Sequence, residues 1–292
     1  MNQVDVLCIG YACWDLNFHI TDHPDPDNKI FAKSLTSEGG GPAANAAYTI
    51  AKLGGQAALA SRLGNDALGQ AHLEELKQAG VDTSRILITD TPTSTSSIWV
   101  NKQGQRAVVN FKPDHFVLLT KMIDITTHCI LVDGHEFEAS MDALKHMASI
   151  PTLLDAGSLR DETLELSSNV SHLVASSSFA RDLSQSKDLK DWLQCLAEKA
   201  PCAAVTCGQQ GVHWQDSNGT GGHIKAPSVN AIDTTAAGDI FHGACALALA
   251  KGRSFPTSLA WANEVAGVSV TKPGGRSSSP EISEVTSLSS FR

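Results

Sequence analysis

Positive charges and long apolar runs are both scarce in this sequence. It has 22 lysine and arginine residues against 31 aspartate and glutamate residues, a formal net charge of −9 at pH 7. A surface of that sign argues against general binding to nucleic acids or anionic membranes, although it leaves room for a small basic pocket that holds a phosphorylated substrate. No stretch approaches the roughly 20 apolar residues of a membrane helix, and residues 1–5 lack the basic start of a signal peptide. The sequence therefore predicts a cytoplasmic protein without nucleic-acid or membrane partners.

Cysteine is present, but not in a pattern that indicates disulfides or zinc. The seven cysteines are odd in number, and no group of cysteines and histidines has the spacing of a zinc site. Most of them lie in apolar segments, where cysteine behaves as a small buried apolar residue. We expect free thiols in a reducing compartment and assign no residue as a direct metal ligand.

Short apolar runs of strand length alternate with helical patterns along the 292 residues. Six runs predict buried strands, at 4–10, 56–61, 129–133, 152–156, 172–175 and 202–206. Between them, apolar residues at helical spacing predict helices at 42–53, 67–79, 139–149 and 189–199. Such alternation is typical of a mostly parallel sheet covered by helices on both faces. We predict one α/β domain, 1–292, with three layers, α/β/α.

Two regions, 11–38 and 92–112, depart from this rhythm. They carry alternating polar and β-branched residues with turn residues between them, and residues 102–105 are typical of a hairpin turn between strands at 98–101 and 107–111. These two regions predict a small β-sheet lid that stands apart from the main body. Exposed β-branched strands of this kind also favour burial against a second copy, so we expect a homodimer through the lid.

A run of small residues precedes an almost wholly apolar helix at 240–250, which Lys251 and Gly252 bring to an end. Without bulky side chains, backbone N–H groups at the start of this helix could remain free at its positive end, a geometry that receives phosphate. Asp239 stands at that point, where a carboxylate suits the site best if it takes up a proton. The alternative is a plain capping aspartate.

A second segment, Gly39-Gly-Gly-Pro-Ala-Ala44-Asn45, combines three glycines with a proline suited to the first position of a helix. The glycines allow a ligand to approach the backbone closely, and Asn45 would lie in the first helical turn beside it. A tight turn before a helix would explain the glycines equally well.

Taken together with Leu63-Gly-Asn-Asp-Ala-Leu-Gly69 and Thr206-Cys-Gly-Gln-Gln-Gly211, these two segments resemble the ribokinase, or PfkB, family of sugar kinases. The resemblance runs in order from about residue 4 to 280. It implies a ribokinase-like fold and transfer of the γ-phosphoryl group of ATP to a sugar hydroxyl. ATP and Mg²⁺ are the implied cofactors, and dependence on K⁺ is left open.

The resemblance also implies roles for single residues. The amides of Ala236, Ala237 and Gly238 would hold the phosphoryl oxygens, while Asp239 accepts the proton of the attacking hydroxyl. The residues implied around ATP are Thr206, Gly208, Gly211 and Asn263, with Asn263 near the adenine. Thr206 as a mere strand end, and Asn263 as a solvated helix residue, remain the alternatives.

On the sugar side, Asp15 matches the family aspartate that binds sugar hydroxyls. Gly40, Gly41 and Asn45 would line the same pocket. Within the family, the chain looks most similar to the sulfofructose kinase branch, in the segments Gly39-Gly-Gly-Pro-Ala-Ala44, Asp239-Ile-Phe-His-Gly-Ala244 and Thr271-Lys-Pro-Gly-Gly-Arg276. That branch holds its sulfonate with a lysine, an asparagine and an arginine. Lys29 and Asn110 match the first two, but His135 stands where the arginine is expected, and imidazole is a poor partner for a sulfonate at pH 7. We therefore expect a neutral ketose or related polyol, with a sugar phosphate open through Lys29, unless Lys29 and His135 are only surface residues.

Two departures from the family pattern bear on catalysis. Ala236 stands where the family usually has glycine, and a positive φ angle there would cost on the order of 1–2 kcal/mol. Residues 176–179 read Ser-Ser-Ser-Phe where many relatives carry an Asn-x-x-Glu that organises magnesium. The alternatives to a sugar kinase are a nucleoside kinase of the same fold and a catalytically weakened protein that senses sugar or nucleotide.

Overall fold

The computed structural model describes residues 2–113, 125–147 and 149–285. In these ranges the chain forms thirteen strands and eight α-helices. The strands are β1 Asn2–Ile9, β2 Cys13–His19, β3 Ser34–Gly40, β4 Ala57–Gly64, β5 Asp82–Thr89, β6 Thr95–Val100, β7 Arg106–Phe111, β8 Ile125–Val132, β9 Thr152–Ala156, β10 His172–Ser176, β11 Cys202–Thr206, β12 Val212–Gln215 and β13 Gly221–Ile224. The helices are α1 Pro42–Lys52, α2 Ala67–Gln78, α3 Phe137–His146, α4 Asp161–Ser167, α5 Ser177–Ser184, α6 Leu189–Ala197, α7 Ala237–Ala250 and α8 Phe255–Ser269. Among these residues no helix combines the length and the apolarity needed to cross a membrane.

The main sheet has nine strands in the order β13-β12-β11-β10-β9-β8-β1-β4-β5. The strands from β11 to β5 are parallel, while β12 and β13 form an antiparallel edge. One apolar cluster packs α1, α2, α7 and α8 on one face, and a second packs α3 to α6 on the other. The predicted three-layer α/β/α fold is confirmed.

The strands near the middle of the sheet read as unbroken apolar runs because both of their faces are buried. In β1, Val6 and Cys8 belong to one apolar cluster, whereas Leu7 and Ile9 belong to the other. A strand covered by helices on both faces has no polar side, so alternation disappears from its sequence.

A four-stranded sheet of order β3-β2-β6-β7 forms the predicted lid. Its hairpin turns at residues 101–105, where Gly104 has a φ of 75°. Because side chains alternate along strands, the lid has two faces. We call the one that bears Asp15, Asn17, Ser96 and Asn110 the cleft face, and the one that bears Leu16, Phe18, Leu35, Trp99, Val109 and Phe111 the back face.

Several elements differ from the sequence predictions. Strand β5 was not predicted, because this edge strand is half exposed and its apolar residues do not form a buried run. Helices α4 and α5 have 7 and 8 residues, too few for a periodic pattern to stand out. The helix predicted at 139–149 begins earlier and ends at His146.

Candidate active site

The start of α7 presents free backbone amides, as the sequence predicted. Ala236 caps the helix with φ 57° and ψ 6°, the left-handed conformation that an alanine adopts only with strain. The N–H of Ala237 makes one long hydrogen bond, 3.3 Å, to the oxygen of Thr234. Within the described chain the amides of Ala236 and Gly238 have no hydrogen-bond partner. The positive end of the helix is therefore open to an anion.

Asp239 lies in the first turn of α7 and is held by a chain of side chains. Asn45 Nδ2 donates to Asp239 Oδ2 at 2.7 Å, and Asn45 Oδ1 accepts from Arg276 Nε at 3.0 Å. Arg276 is almost wholly buried and also pairs with Glu75 at 3.3 Å. The amide of Asn45 thus links Arg276, through its oxygen, to Asp239, through one N–H, and the predicted contact between Asn45 and substrate stays a prediction.

The environment of Asp239 favours its protonated form. Burial, followed by the nearby negative charge of Asp155, raises the pKa of Asp239 to about 7, and the hydrogen bond from Asn45 opposes this rise. A carboxyl group with a pKa close to neutral can both accept a proton and release it.

Asp155 and His242 were missed by the sequence reasoning. Asp155 stands at the carboxyl end of β9 and is 7% exposed. His242, one turn into α7, has Nδ1 at 2.6 Å from the oxygen of Gly238 and 3.3 Å from Asp155 Oδ2, and Nε2 at 3.1 Å from the oxygen of Val174. Two of these neighbours are backbone carbonyls, which only accept, so a ring N–H that points at either of them donates. An aspartate at the end of an otherwise apolar buried strand was the signal that could have revealed the pair.

The residues predicted to bind nucleotide surround one cavity of about 440 Å³. Its walls include Ala237 and Gly238 from α7, so the open helix end faces into it. The predicted residues in its lining are Thr206, Gly208, Gly211 and Asn263. Asn263 is 8% exposed and donates to the oxygen of Lys225 at 2.8 Å, which excludes the solvated-residue alternative. Apolar residues that include Val229 and Val270 complete the walls, a lining suited to a flat aromatic base.

On the other side of Asp239, Asp15 faces the glycine-rich segment. Cys13 Sγ donates to Asp15 Oδ1 at 3.2 Å, and burial raises the pKa of Asp15. A Cβ atom on Gly40 would lie 2.0 Å from Asp15 Oδ2, so only glycine fits there. Gly41 has a φ of 95°, which also favours glycine. Asp15, Ser96 and Asn110 are opposite one another on β2, β6 and β7, so they lie in one row across the lid.

His135 and Lys29, both predicted to contact the sugar, lie in different surroundings. His135 stacks on Tyr11 with ring centroids 4.5 Å apart, and its Nδ1 lies 3.2 Å from Lys112 Nζ. Burial lowers the pKa of His135 to about 4, so the ring is neutral at pH 7, as expected, and accepts from Lys112. Lys29 lies on the exposed segment between β2 and β3, in a depression lined by residues 21–31 of that segment. The structure does not bring Lys29 to Asp15.

Comparison with known proteins decides the family. The model of the pfkB family of carbohydrate kinases matches residues 3–282. This chain belongs to the pfkB family. It is therefore an ATP-dependent sugar kinase, a phosphotransferase with an alcohol group as acceptor.

Individual pfkB relatives agree along almost the whole chain. Ribokinase of Bacillus subtilis (strain 168) is 27% identical over 297 residues, which cover 97% of this chain and 99% of the relative. A crystal structure from Agrobacterium tumefaciens has a TM-score of 0.91 at 30% identity and covers 98% of this chain and 97% of that one. The structure of Arabidopsis thaliana ribokinase complexed with ribose and ATP has a TM-score of 0.85 at 22% identity, with full coverage of both chains, and supports the fold.

The expected place of this pfkB kinase in the sulfofructose kinase branch is not supported. Its relatives are mostly ribokinases. The segments behind that expectation explain the error, because they build parts of the site that do not discriminate between sugars. Gly40 makes room for Asp15, and Arg276 supports Asn45.

Proposed function

We propose that this pfkB kinase phosphorylates a small neutral sugar held between the lid and the body. One observation carries the proposal: Asp239 is bonded to Asn45 on the sugar side, while its neighbours Ala237 and Gly238 line the nucleotide cavity. An acceptor hydroxyl from one side and the γ-phosphoryl group from the other would meet at this carboxylate.

The roles of the residues follow from this arrangement. Asp15 accepts hydrogen bonds from sugar hydroxyls and fixes the sugar beneath the lid. Asp239 takes the proton of the attacking sugar hydroxyl. At the same time the hydroxyl oxygen bonds to the γ-phosphorus, and the bond between the γ-phosphorus and the leaving ADP oxygen breaks. The free amides of Ala236 and Gly238 stabilise the negative charge on the phosphoryl oxygens.

Magnesium fits the site as a cofactor held mainly by phosphates and water. Among the described residues no group of three or more histidine, cysteine, aspartate or glutamate side chains could hold a metal ion. The two nearby carboxylates have other tasks, since Asp155 pairs with His242 and Asp239 takes the proton, and Mg²⁺ commonly keeps several waters and binds substrate phosphates. Where relatives carry Asn-x-x-Glu, Ser176 Oγ instead accepts from the N–H of Phe179 and caps α5. When bound, the ion would neutralise charge on the phosphates of ATP.

A neutral sugar suits the far end of the pocket better than an anionic one. His135 is neutral at pH 7, and Lys29 lies apart from Asp15. Three other cations lie near His135, and each already has a partner: Lys112 contacts His135, Arg62 pairs with Glu136, and Arg160 donates to the oxygen of Asp133. The sequence favours a ketose, whereas ribose, bound in the Arabidopsis relative, is an aldose, so both sugar types belong in the first screen.

The test is sugar-dependent release of ADP in a coupled assay, with D-ribose, D-fructose, their phosphates, sulfofructose and nucleosides as acceptors. We expect a neutral sugar to give the highest kcat/KM. Asp239→Asn should lower kcat at least a hundredfold, while calorimetry shows that the sugar still binds. Comparable turnover in that variant would remove Asp239 from the mechanism. A nucleoside as best acceptor would identify a nucleoside kinase, and the absence of ADP release with every acceptor would favour a sensing protein.

A further inference from the structure

Asn17 is a buried lid residue whose amide has no partner among the residues that the structure describes. It lies in the middle of β2 and is 4% exposed. Neither its Oδ1 nor its Nδ2 makes a hydrogen bond within the described chain. Buried side-chain amides are normally satisfied, so an unpaired one calls for an explanation.

The position of Asn17 gives it the same orientation as Asp15. The two residues are two apart on β2, about 6.6 Å along the strand, and their side chains leave the same face of the lid. Across the sheet, Asn17 pairs with Thr36 and Ile98, and neither of them bonds to its amide. Asn17 therefore lies on the cleft face one row farther along β2 than Asp15, with Thr36 and Ile98 as its cross-strand neighbours.

Asparagine is also a poor choice for this strand on structural grounds. It is depleted in strands, which favour β-branched and aromatic residues. Its flanking residues, Leu16 and Phe18, follow that preference on the back face. The amide thus weakens the strand and loses its hydrogen bonds to water, and the described residues offer it no hydrogen bond in return.

We propose that Asn17 is a specificity-determining residue, whose amide pairs with one hydroxyl of the sugar beyond those held by Asp15. This inference rests on the proposed function. An amide both donates and accepts, as a hydroxyl does, whereas a sulfonate or phosphate only accepts and would leave Oδ1 unpaired. Asn17 therefore selects neutral sugars that carry a hydroxyl at this position against their deoxy analogues.

Asn17→Leu separates this role from a purely structural one. Leucine has a similar size and removes the unpaired amide, so we expect the melting temperature of the ligand-free variant to rise while kcat/KM for the sugar falls at least about tenfold. The KM for ATP should not change. Asn101 provides a matched control, because this buried lid asparagine is fully paired and its Oδ1 accepts from the N–H groups of Gln103 and Gln105. Asn101→Leu should lower the melting temperature.

The decisive measurement uses D-ribose, D-fructose and their monodeoxy analogues with the wild type and Asn17→Leu. For one hydroxyl, its removal should cost the wild type about tenfold in kcat/KM and cost the variant nothing further, which marks that hydroxyl as the partner of Asn17. Equal losses in both proteins for every analogue would overturn the proposal, as would unchanged kcat/KM in Asn17→Leu.

Calorimetric binding of the same sugars keeps the two proposals distinguishable. If no sugar releases ADP but sugar binding weakens in Asn17→Leu, the kinase assignment fails and the role of Asn17 stands. If ADP is released and binding is the same in both proteins, the kinase assignment stands and the role of Asn17 fails.

Discussion

At the scale of the residue, Asp239 faces two opposing requirements. Its buried position favours the protonated carboxyl, with a pKa of about 7, whereas proton acceptance requires the ionised form. Below that pKa most molecules hold the proton and cannot accept another, and above it most are ready to react. The same groups that shape the site therefore set the pH at which it works.

We accordingly expect kcat/KM for the sugar to rise with pH through about 7 and then level off. Because the hydrogen bond from Asn45 favours the ionised form, Asn45→Ala should move this rise to higher pH. Initial rates across a pH series, at saturating ATP, measure both profiles. A wild-type profile that is flat between about pH 6 and about pH 8 would contradict the assignment of Asp239 as the proton acceptor.

The backbone of Ala236 also sets the geometry of the site. Its φ of 57° costs an alanine about 1 kcal/mol, which glycine would avoid, while the greater freedom of glycine in the unfolded chain offsets part of the gain. We expect Ala236→Gly to leave the free energy of unfolding within about 1 kcal/mol of the wild type and to retain activity. The matched control is Ala237→Gly, one residue into the helix, which should destabilise by up to about 1 kcal/mol. Urea unfolding compares the two, and an equal loss in both would mean that Ala236 is not strained.

At the scale of the element, α7 joins the phosphate site to the buried sheet. Its open end depends on Ala236, and its first turn is tied to β9 and β10 through His242. Removing one partner of a buried charged pair leaves the other charge without compensation, whereas replacing both partners with apolar residues can be nearly neutral.

His242→Leu should therefore lower the free energy of unfolding by about 3 kcal/mol, because Asp155 remains buried without its partner. The double variant Asp155→Leu/His242→Leu should recover most of that loss without recovering activity. Thermal unfolding and ADP release measure the two effects. A double variant that is less stable than His242→Leu alone would show that the two side chains do not act as a pair.

The elements differ in how far the sequence could predict them. The strands β1, β8 and β9 and the helix α7 were predictable because burial on all sides produces unbroken apolar runs. Asp239 and the nucleotide-binding glycines were predictable because local motifs carry them. Asn17, Asp155 and Arg276 were not, because what distinguishes them is the presence or absence of a partner that lies far away in the sequence. The role of Lys29 stays a prediction, since a match in sequence does not say where an exposed segment will lie.

At the scale of the whole molecule, the two faces of the lid have different character. The cleft face bears the polar residues Asp15, Ser96 and Asn110, which we propose to cover the sugar. The back face exposes large apolar side chains on its two outer strands, β3 and β7: Leu35 is 52% exposed, Val109 64% and Phe111 52%. Exposed apolar side chains on one face favour burial against a partner, and a second copy of the same face would complement it. The homodimer expected from the sequence stays a prediction, and we propose the back face as its interface.

The lid offers a closely matched pair of residues to test that dimer. Val109 lies on the back face and Val108, 51% exposed, lies next to it on the cleft face. A glutamate at position 109 would be buried without a partner in the dimer, so Val109→Glu should yield a monomer, whereas Val108→Glu should remain a dimer. Light scattering coupled to size-exclusion chromatography measures the mass of each variant. A wild-type protein that is monomeric at assay concentrations, or a Val109→Glu variant that still dimerises, would exclude the back face as the interface.

Since β6 and β7 carry both faces, loss of the dimer should also raise the KM for the sugar, because the cleft face would lose the support that holds it over the pocket.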